Sequence, residues 1–355
     1  MESWAYMEST DQVLFVIFDC PQNMNDKSWL YDHLALLHQG RVDPVYAPCV
    51  LSTLYRQGIR GFLLYRWYLF RQALTTICKS SRGDILLCWG EMTGYLVWLM
   101  KRLFFHGRKV VVMNWLSPDE KALALYHCFQ RGIARDPDCQ IIVNAQESVS
   151  EWCRFLKMDC QDRFHCVPDV YDVNVPFKKV VSREKKYLFS GGITNRDWSM
   201  ISRLAAEMPQ MKFVCVALEK DFRSKVKTVP SNMQVFFDIP FEEYYRLLSE
   251  SFAVLLPLVE QKVSGLINII RSAQEGIPCL VTRTVGTGQY YPQDLQDLLM
   301  CETLPEWKDS LDVLLSMDDA AYMEMSHRFQ SYIRDHFSPS AATQQIYQAC
   351  LSAIQ

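Results

Sequence analysis

The chain has 355 residues, of which 49% are hydrophobic, 13% aromatic and 22% charged, with a formal net charge of −3. That length exceeds one ordinary hydrophobic core and suits two domains, while the apolar content excludes a disordered or low-complexity polypeptide. Its 13 cysteines are scattered, without tight metal-ligand spacing, and its start lacks the basic-then-apolar order of a secretory leader, so reduced thiols in a cytoplasmic protein are expected.

Short apolar runs at 13–18, 85–89, 110–114, 140–144 and 165–168 alternate with longer helical stretches, which predicts a parallel sheet covered by helices on both faces. Arg66, Arg71, Lys101 and Arg102 interrupt the longest apolar stretches, leaving none of the roughly 20 residues that a spanning helix needs. Residues 56–109 hold ten cations against two anions, interleaved with large apolar side chains. Two readings stand. Either Trp67, Phe70, Trp98 and Phe104 enter an anionic membrane surface with the Arg and Lys residues at its headgroups, or the aromatics are core and the cations form a solvated face. No groove-reading motif accompanies this charge, so nucleic acid is not an expected partner. The strand at 85–89 runs into GEMTG (90–94), which is expected to face the cleft and makes Glu91 a candidate acid–base group.

A polar, Pro- and Lys-bearing stretch at 169–185 marks a boundary. It divides the chain into an N-terminal domain (1–172), a second domain (173–340) and a C-terminal helix (341–355) packing back towards the first. Strands at 186–190, 212–217, 233–237, 253–257 and 278–282 repeat the α/β alternation. The expected fold is therefore two Rossmann-like doubly wound domains facing across a cleft, with ligands beyond the carboxyl ends of the strands. In YLFSGGITNRDW (187–198) an apolar strand meets a double glycine, Gly191 and Gly192, and then a polar helix start carrying Arg196. Such a turn offers backbone N–H groups and the positive end of a helix dipole to an anion. A second glycine turn, in SGLINIIRSAQEGIP (264–278), opens a helix stopped by Gly276 and Pro278. Two such turns in one domain predict a nucleotide-diphosphate site.

Four segments of the second half carry a family resemblance: FSGGITNRDW (189–198), NMQVFFDIPFEEYYRLL (232–248), SFAVLLPL (251–258), and 264–278 followed by TRTVG (282–286). From about residue 185 to 340 the chain resembles the donor domain of GT-B glycosyltransferases, most of all the family 4 retaining enzymes of bacterial polysaccharide assembly. The first half is similar only in its order of strands and helices, which leaves the acceptor unassigned.

The resemblance implies transfer of a sugar from a nucleotide diphosphate to a glycan or lipid-linked acceptor with retention, without metal or other cofactor. Membrane contact through 56–109 would then place the protein on the inner face of the membrane. Leaving-group charge would be met by Gly191, Gly192 and Arg196 at the first turn and by the amides of Ser264, Gly265 and Leu266 at the second. The family's two glutamates, eight residues apart, are replaced by Val263 and Arg271. Arg271 then stands as a further cation for the diphosphate, and Glu275 either takes over the ribose contact or pairs with Arg271 one turn back. Glu91 becomes an acceptor contact or the base of an inverting enzyme, and Trp115 either stacks on an acceptor sugar or packs in the core. Two rivals remain: a GT-B relative that has lost catalysis and serves as a binding or scaffold protein, and a nucleotide-sugar epimerase.

Overall fold

A computed structural model describes residues 12–18, 28–39, 41–45, 58–115, 117–119, 122–181, 184, 186–192, 195–260, 263–284 and 286–354. Arg56 of the basic stretch and the Ile193–Thr194 step of the first glycine turn lie outside the described residues. The chain forms two compact units, one of residues 1–168 with 339–355 and one of residues 169–338.

The first unit holds a six-stranded sheet in the order β2-β1-β3-β4-β5-β6, formed by β1 (Leu14–Ile17), β2 (Val42–Val45), β3 (Ile85–Cys88), β4 (Lys109–Val112), β5 (Cys139–Val143) and β6 (Phe164–Cys166). Every pairing is parallel. Because helices cover both faces, β1, β3 and β5 are buried along their whole length, β1 and β3 reading as continuous apolar runs and β5 as one broken only by Gln140. The sequence reading passed over β2, whose Val-Asp-Pro-Val carries no strand-like pattern. Pro44 is tolerated because β2 is the sheet's edge, where a missing N–H breaks no ladder. The last helix, Pro339–Ser352, belongs to this unit: Tyr347 Oη hydrogen-bonds His38 Nδ1 at 3.1 Å, and Gln140 Nε2 donates to the Ser352 carbonyl at 3.4 Å.

The second unit repeats the plan with β7 (Leu188–Gly191), β8 (Phe213–Ala217), β9 (Met233–Phe237), β10 (Ala253–Leu256), β11 (Cys279–Thr282) and β12 (Met300–Cys301), ordered β12-β11-β10-β7-β8-β9 and again parallel. Two doubly wound α/β sheets are thus present, as the alternation of strands and helices predicts.

The basic stretch divides between the two readings made of it. Trp98 follows the second reading and is core, not a membrane contact: its indole donates to Asp136 at 2.9 Å. Lys101 is buried against the same Asp136 carboxylate at 2.9 Å, and Arg108 is buried, donating to the Ile77 carbonyl at 3.2 Å. Trp67, Phe70 and Phe104, in contrast, are exposed. No helix among the described residues is long and apolar enough to cross a membrane.

Gly132, on the helix Ala124–Arg135, tests this packing, since a Cβ there would stand 2.3 Å from Trp98 Cη2. The indole is pinned by Asp136 and cannot yield freely. Gly132→Ala is expected to destabilise the first unit by about 1–3 kcal/mol, read as a lower urea midpoint.

Candidate functional site

In the second unit the chain winds outward from β7 through β8 to β9, then returns to β7's other side with β10. That reversal falls at the carboxyl ends of β7 and β10, the place where open parallel sheets in general receive ligands. The two glycine turns predicted from sequence are the loops that leave these two strands. Main-chain hydrogen bonds stitch them together: Asp197 N donates to the Pro257 carbonyl at 2.9 Å, and Arg196 and Leu258 form an antiparallel bridge. The Asn195 side chain spans the same gap, accepting from Glu260 N at 2.8 Å and donating to its carbonyl at 3.1 Å.

Arg196 lies at the centre of this junction. It is 4% exposed, and its Nε donates to the Gly191 carbonyl at 2.9 Å. A Cβ on Gly192, whose φ is +139°, would fall 2.5 Å from Arg196 Nη2, so the turn must be glycine for the guanidinium to lie over it. The same Nη2 is 3.6 Å from where a Cβ on Gly265 would stand. One buried cation therefore lies over the first glycine turn with its Nη2 facing the second, and burial lowers its pKa. Asp197, next along, caps the helix Trp198–Glu207 by accepting from Met200 N at 2.9 Å.

Gly265, at φ +79°, is the N-cap of the helix Leu266–Gln274, and Ser264 precedes it half-buried. The first amides of that helix, Leu266 among them, start at this reversal with the positive end of the dipole. Two residues missed in the sequence complete the group. Asn268 donates to the Gly191 carbonyl at 3.1 Å, and Tyr244, on the helix Phe241–Ser249, donates its hydroxyl to Asn268 Oδ1 at 3.1 Å. The available signal for Asn268 was one amide within the apolar run Leu-Ile-Asn-Ile-Ile; nothing marked Tyr244.

Arg271 and Glu275 are not brought to this group. They sit towards the other end of the helix, where Arg271 Nη2 is 3.0 Å from Glu275 Oε1 and the guanidinium lies 4.6 Å from the Tyr245 ring centroid. Glu275, 1% exposed, also meets Lys178 Nζ at 2.5 Å through its other oxygen. Of the two roles open to Glu275 in the sequence, the ion pair with Arg271 is present. Val263, at the first glutamate position, is buried. Asp318 caps the helix Asp319–His336 through Ala321 N at 2.8 Å, and no cluster of metal-ligating side chains occurs among the described residues.

Glu91 occupies the corresponding place in the first unit, where the sheet reverses between β1 and β3. It opens the helix Glu91–Phe104 directly after β3, accepting from Tyr95 Oη at 3.1 Å, while Gln130 Nε2 donates to that hydroxyl at 3.0 Å. The helix dipole and the Tyr95 hydrogen bond favour the carboxylate, but burial outweighs them and pushes its pKa up to about 7. Trp115 is fully buried, its ring 4.8 Å from that of Trp152, which makes it core.

Glu91's folded pKa lies above its ordinary 4.5, so the folded state binds the extra proton. Stability from this group is complete below about 4.5 and declines as pH rises towards about 7. Glu91→Gln should flatten that part of the stability profile, as measured by urea unfolding across the window; a profile unchanged by the substitution would contradict the assignment.

No protein-family model matches the chain, and no curated protein sequence matches it. Solved structures share its fold. HepE of Anabaena, solved with UDP and glucose, matches with TM-score 0.66 at 12% identity over 95% of this chain and 99% of its own. The UDP-forming α,α-trehalose-phosphate synthase of Burkholderia xenovorans matches with TM-score 0.68 at 10% identity over 97% and 100%. Sucrose-phosphate synthase of Thermosynechococcus elongatus matches with TM-score 0.68 at 10% identity over 95% and 98%. At such identities the likeness is one of architecture, and that architecture, two doubly wound α/β sheets, is the GT-B fold of glycosyltransferases.

Proposed function

We propose that the protein is a glycosyltransferase that moves a sugar from a nucleotide diphosphate, with UDP the expected carrier, to a glycan or lipid-linked glycan. The single observation carrying this reading is the buried Arg196 guanidinium held over the first glycine turn and facing the second at the reversal of the second sheet. The complexes of HepE with UDP and with UDP-glucose lend it support through their shared fold.

The second unit takes the donor and the first the acceptor. As the glycosidic bond breaks, the electron pair passes to the diphosphate, whose growing charge is met by Arg196 at the Gly191–Gly192 turn and by amides of Ser264, Gly265 and Leu266, while the Gly192 N–H is committed to the Val216 carbonyl at 3.2 Å and supplies only the turn. These donors are preorganised, since the stitched loops hold them before any ligand arrives. In a transfer with retention the acceptor oxygen attacks from the face the diphosphate leaves, and a phosphate oxygen takes its proton. No protein nucleophile, metal or other cofactor is then needed. Glu91, poised near neutrality, accepts a hydrogen bond from the acceptor or serves as its base if the configuration inverts. Protein that associates with the inner membrane face meets lipid-linked acceptors there.

A second reading is favoured by Arg271 and Val263 at the two expected glutamate positions: a GT-B relative that binds a nucleotide sugar without turning it over. Arg271 is committed to Glu275 and Tyr245 and leaves the ribose contact to other groups. Product analysis separates the possibilities, because transfer requires an acceptor, epimerisation proceeds on donor alone, and a binding protein does neither.

Titration calorimetry in the presence of a chelator, with UDP and a panel of UDP-, GDP- and ADP-sugars, tests the common premise. A uridine nucleotide should bind, and Arg196→Ala should weaken it by at least about tenfold, or ~1.4 kcal/mol. Failure of every nucleotide to bind overturns the proposal.

A further inference from the structure

The helix Gly58–Lys79 presents to solvent a face that the described residues of the first unit do not cover. Its inner side buries Leu69, Gln72, Ala73, Thr76 and Ile77. The outer side exposes Ile59, Leu63, Trp67, Phe70 and Leu74, by 81%, 60%, 58%, 40% and 40%. Their spacing of four, four, three and four residues lines them along one face, in a straight stripe roughly 22 Å long. Trp67 and Phe70 stack on each other at 5.9 Å, a rigid aromatic pair in the middle of the stripe.

Charge on this helix has one sign. Arg60, Arg71 and Lys79 are exposed, and the segment contains no Asp or Glu. The helix Glu91–Phe104, which packs along it, ends in exposed Arg102, Leu103 and Phe104. Apolar side chains in a line with cations around them suit a plane that is apolar inside and anionic at its surface. Arginine forks also match phosphate oxygens in shape. Pairing with a second copy about a two-fold axis would set these arginines against one another, an unfavourable like-charge contact. Spanning is excluded because Arg60, Arg66, Arg71 and Lys79 interrupt the helix, which is not apolar enough over any membrane-length window.

We infer that the helix Gly58–Lys79 lies flat in the headgroup layer of an anionic bilayer, with Ile59, Leu63, Trp67, Phe70 and Leu74 inserted and Arg60 and Arg71 on lipid phosphates. This deepens the proposed function, on which it rests only for the lipid-linked nature of the acceptor.

The test is cosedimentation of the full chain with vesicles of phosphatidylcholine alone or mixed with phosphatidylglycerol, without nucleotide. Anionic vesicles should bind at least about tenfold better than neutral ones, and salt should weaken the binding. The double variant Leu63→Glu/Trp67→Glu should lose it while keeping the wild-type melting temperature and uridine nucleotide affinity. Val313→Glu, an exposed apolar site in the second unit, should bind like wild type. Absent binding to anionic vesicles, or binding undiminished in the double variant, overturns the inference. So does a dimer in sedimentation velocity that the double variant dissolves while the wild type ignores vesicles. Because vesicles and nucleotide are read separately, the inference and the proposed function fail independently.

Discussion

A guanidinium buried beside two glycine turns organises the reversal of the second sheet. Arg196 donates to the Gly191 carbonyl, and Asn268, from the second turn's helix, donates to the same oxygen. One carbonyl thereby ties together a strand end, a buried charge and a helix start. Glycine at 192 and 265 is the steric condition, since the first would drive a Cβ into the guanidinium and both have positive φ. Burying a charge is costly, and such a group persists where hydrogen bonds hold it. The fold thus holds a buried cation at the reversal of the second sheet, the place where doubly wound sheets in general receive ligands.

The first unit repeats the geometry with the opposite chemistry. Its reversal carries a carboxyl, Glu91, hydrogen-bonded within a Tyr95–Gln130 chain and raised towards neutrality by burial. Much of the positive charge nearby is structural: Lys101 neutralises Asp136 and reaches Asp138 at 3.1 Å, while Lys109 pairs with Asp138 at 2.7 Å. What stays at the surface is concentrated on one helix together with exposed aromatics. An electrostatic count along the sequence therefore mixed two populations, cations that hold the core's carboxylates and cations that face outward.

The far end of the helix Leu266–Gln274 carries an ion-pair cluster instead of a ligand-facing group. Arg271 stands where the resemblance leads one to expect glutamate, and it is answered by Glu275, which Lys178 also meets. A carboxylate buried to this degree needs such partners, because removal of either cation would leave it less compensated in a poorly solvated place. The helix consequently carries its glycine-bounded start at the sheet's reversal and an ion-pair cluster at its end, two separate tasks on one element.

The alternation of apolar runs with amphipathic stretches determined two doubly wound α/β units, because parallel strands buried on both faces must be continuously apolar and must be joined by helices. The double glycine before Arg196 and the single glycine before Leu266 were also legible, since only glycine allows those turns. The edge strand β2 was not, because an edge escapes the ladder that would forbid Pro44. Nor were Asn268 and Tyr244, whose roles arise from meeting the Gly191 carbonyl across 77 residues of chain in the first case and the Asn268 amide in the second. Likewise, sequence spacing put Arg271 and Glu275 on one helix face but did not reveal Lys178 as their partner, nor did it separate Trp98 in the core from Trp67 in solvent. Local pattern reports what a segment does alone; which long-range partner reaches a polar group, and which face of a helix is left uncovered, are decided only when the sheets and helices pack.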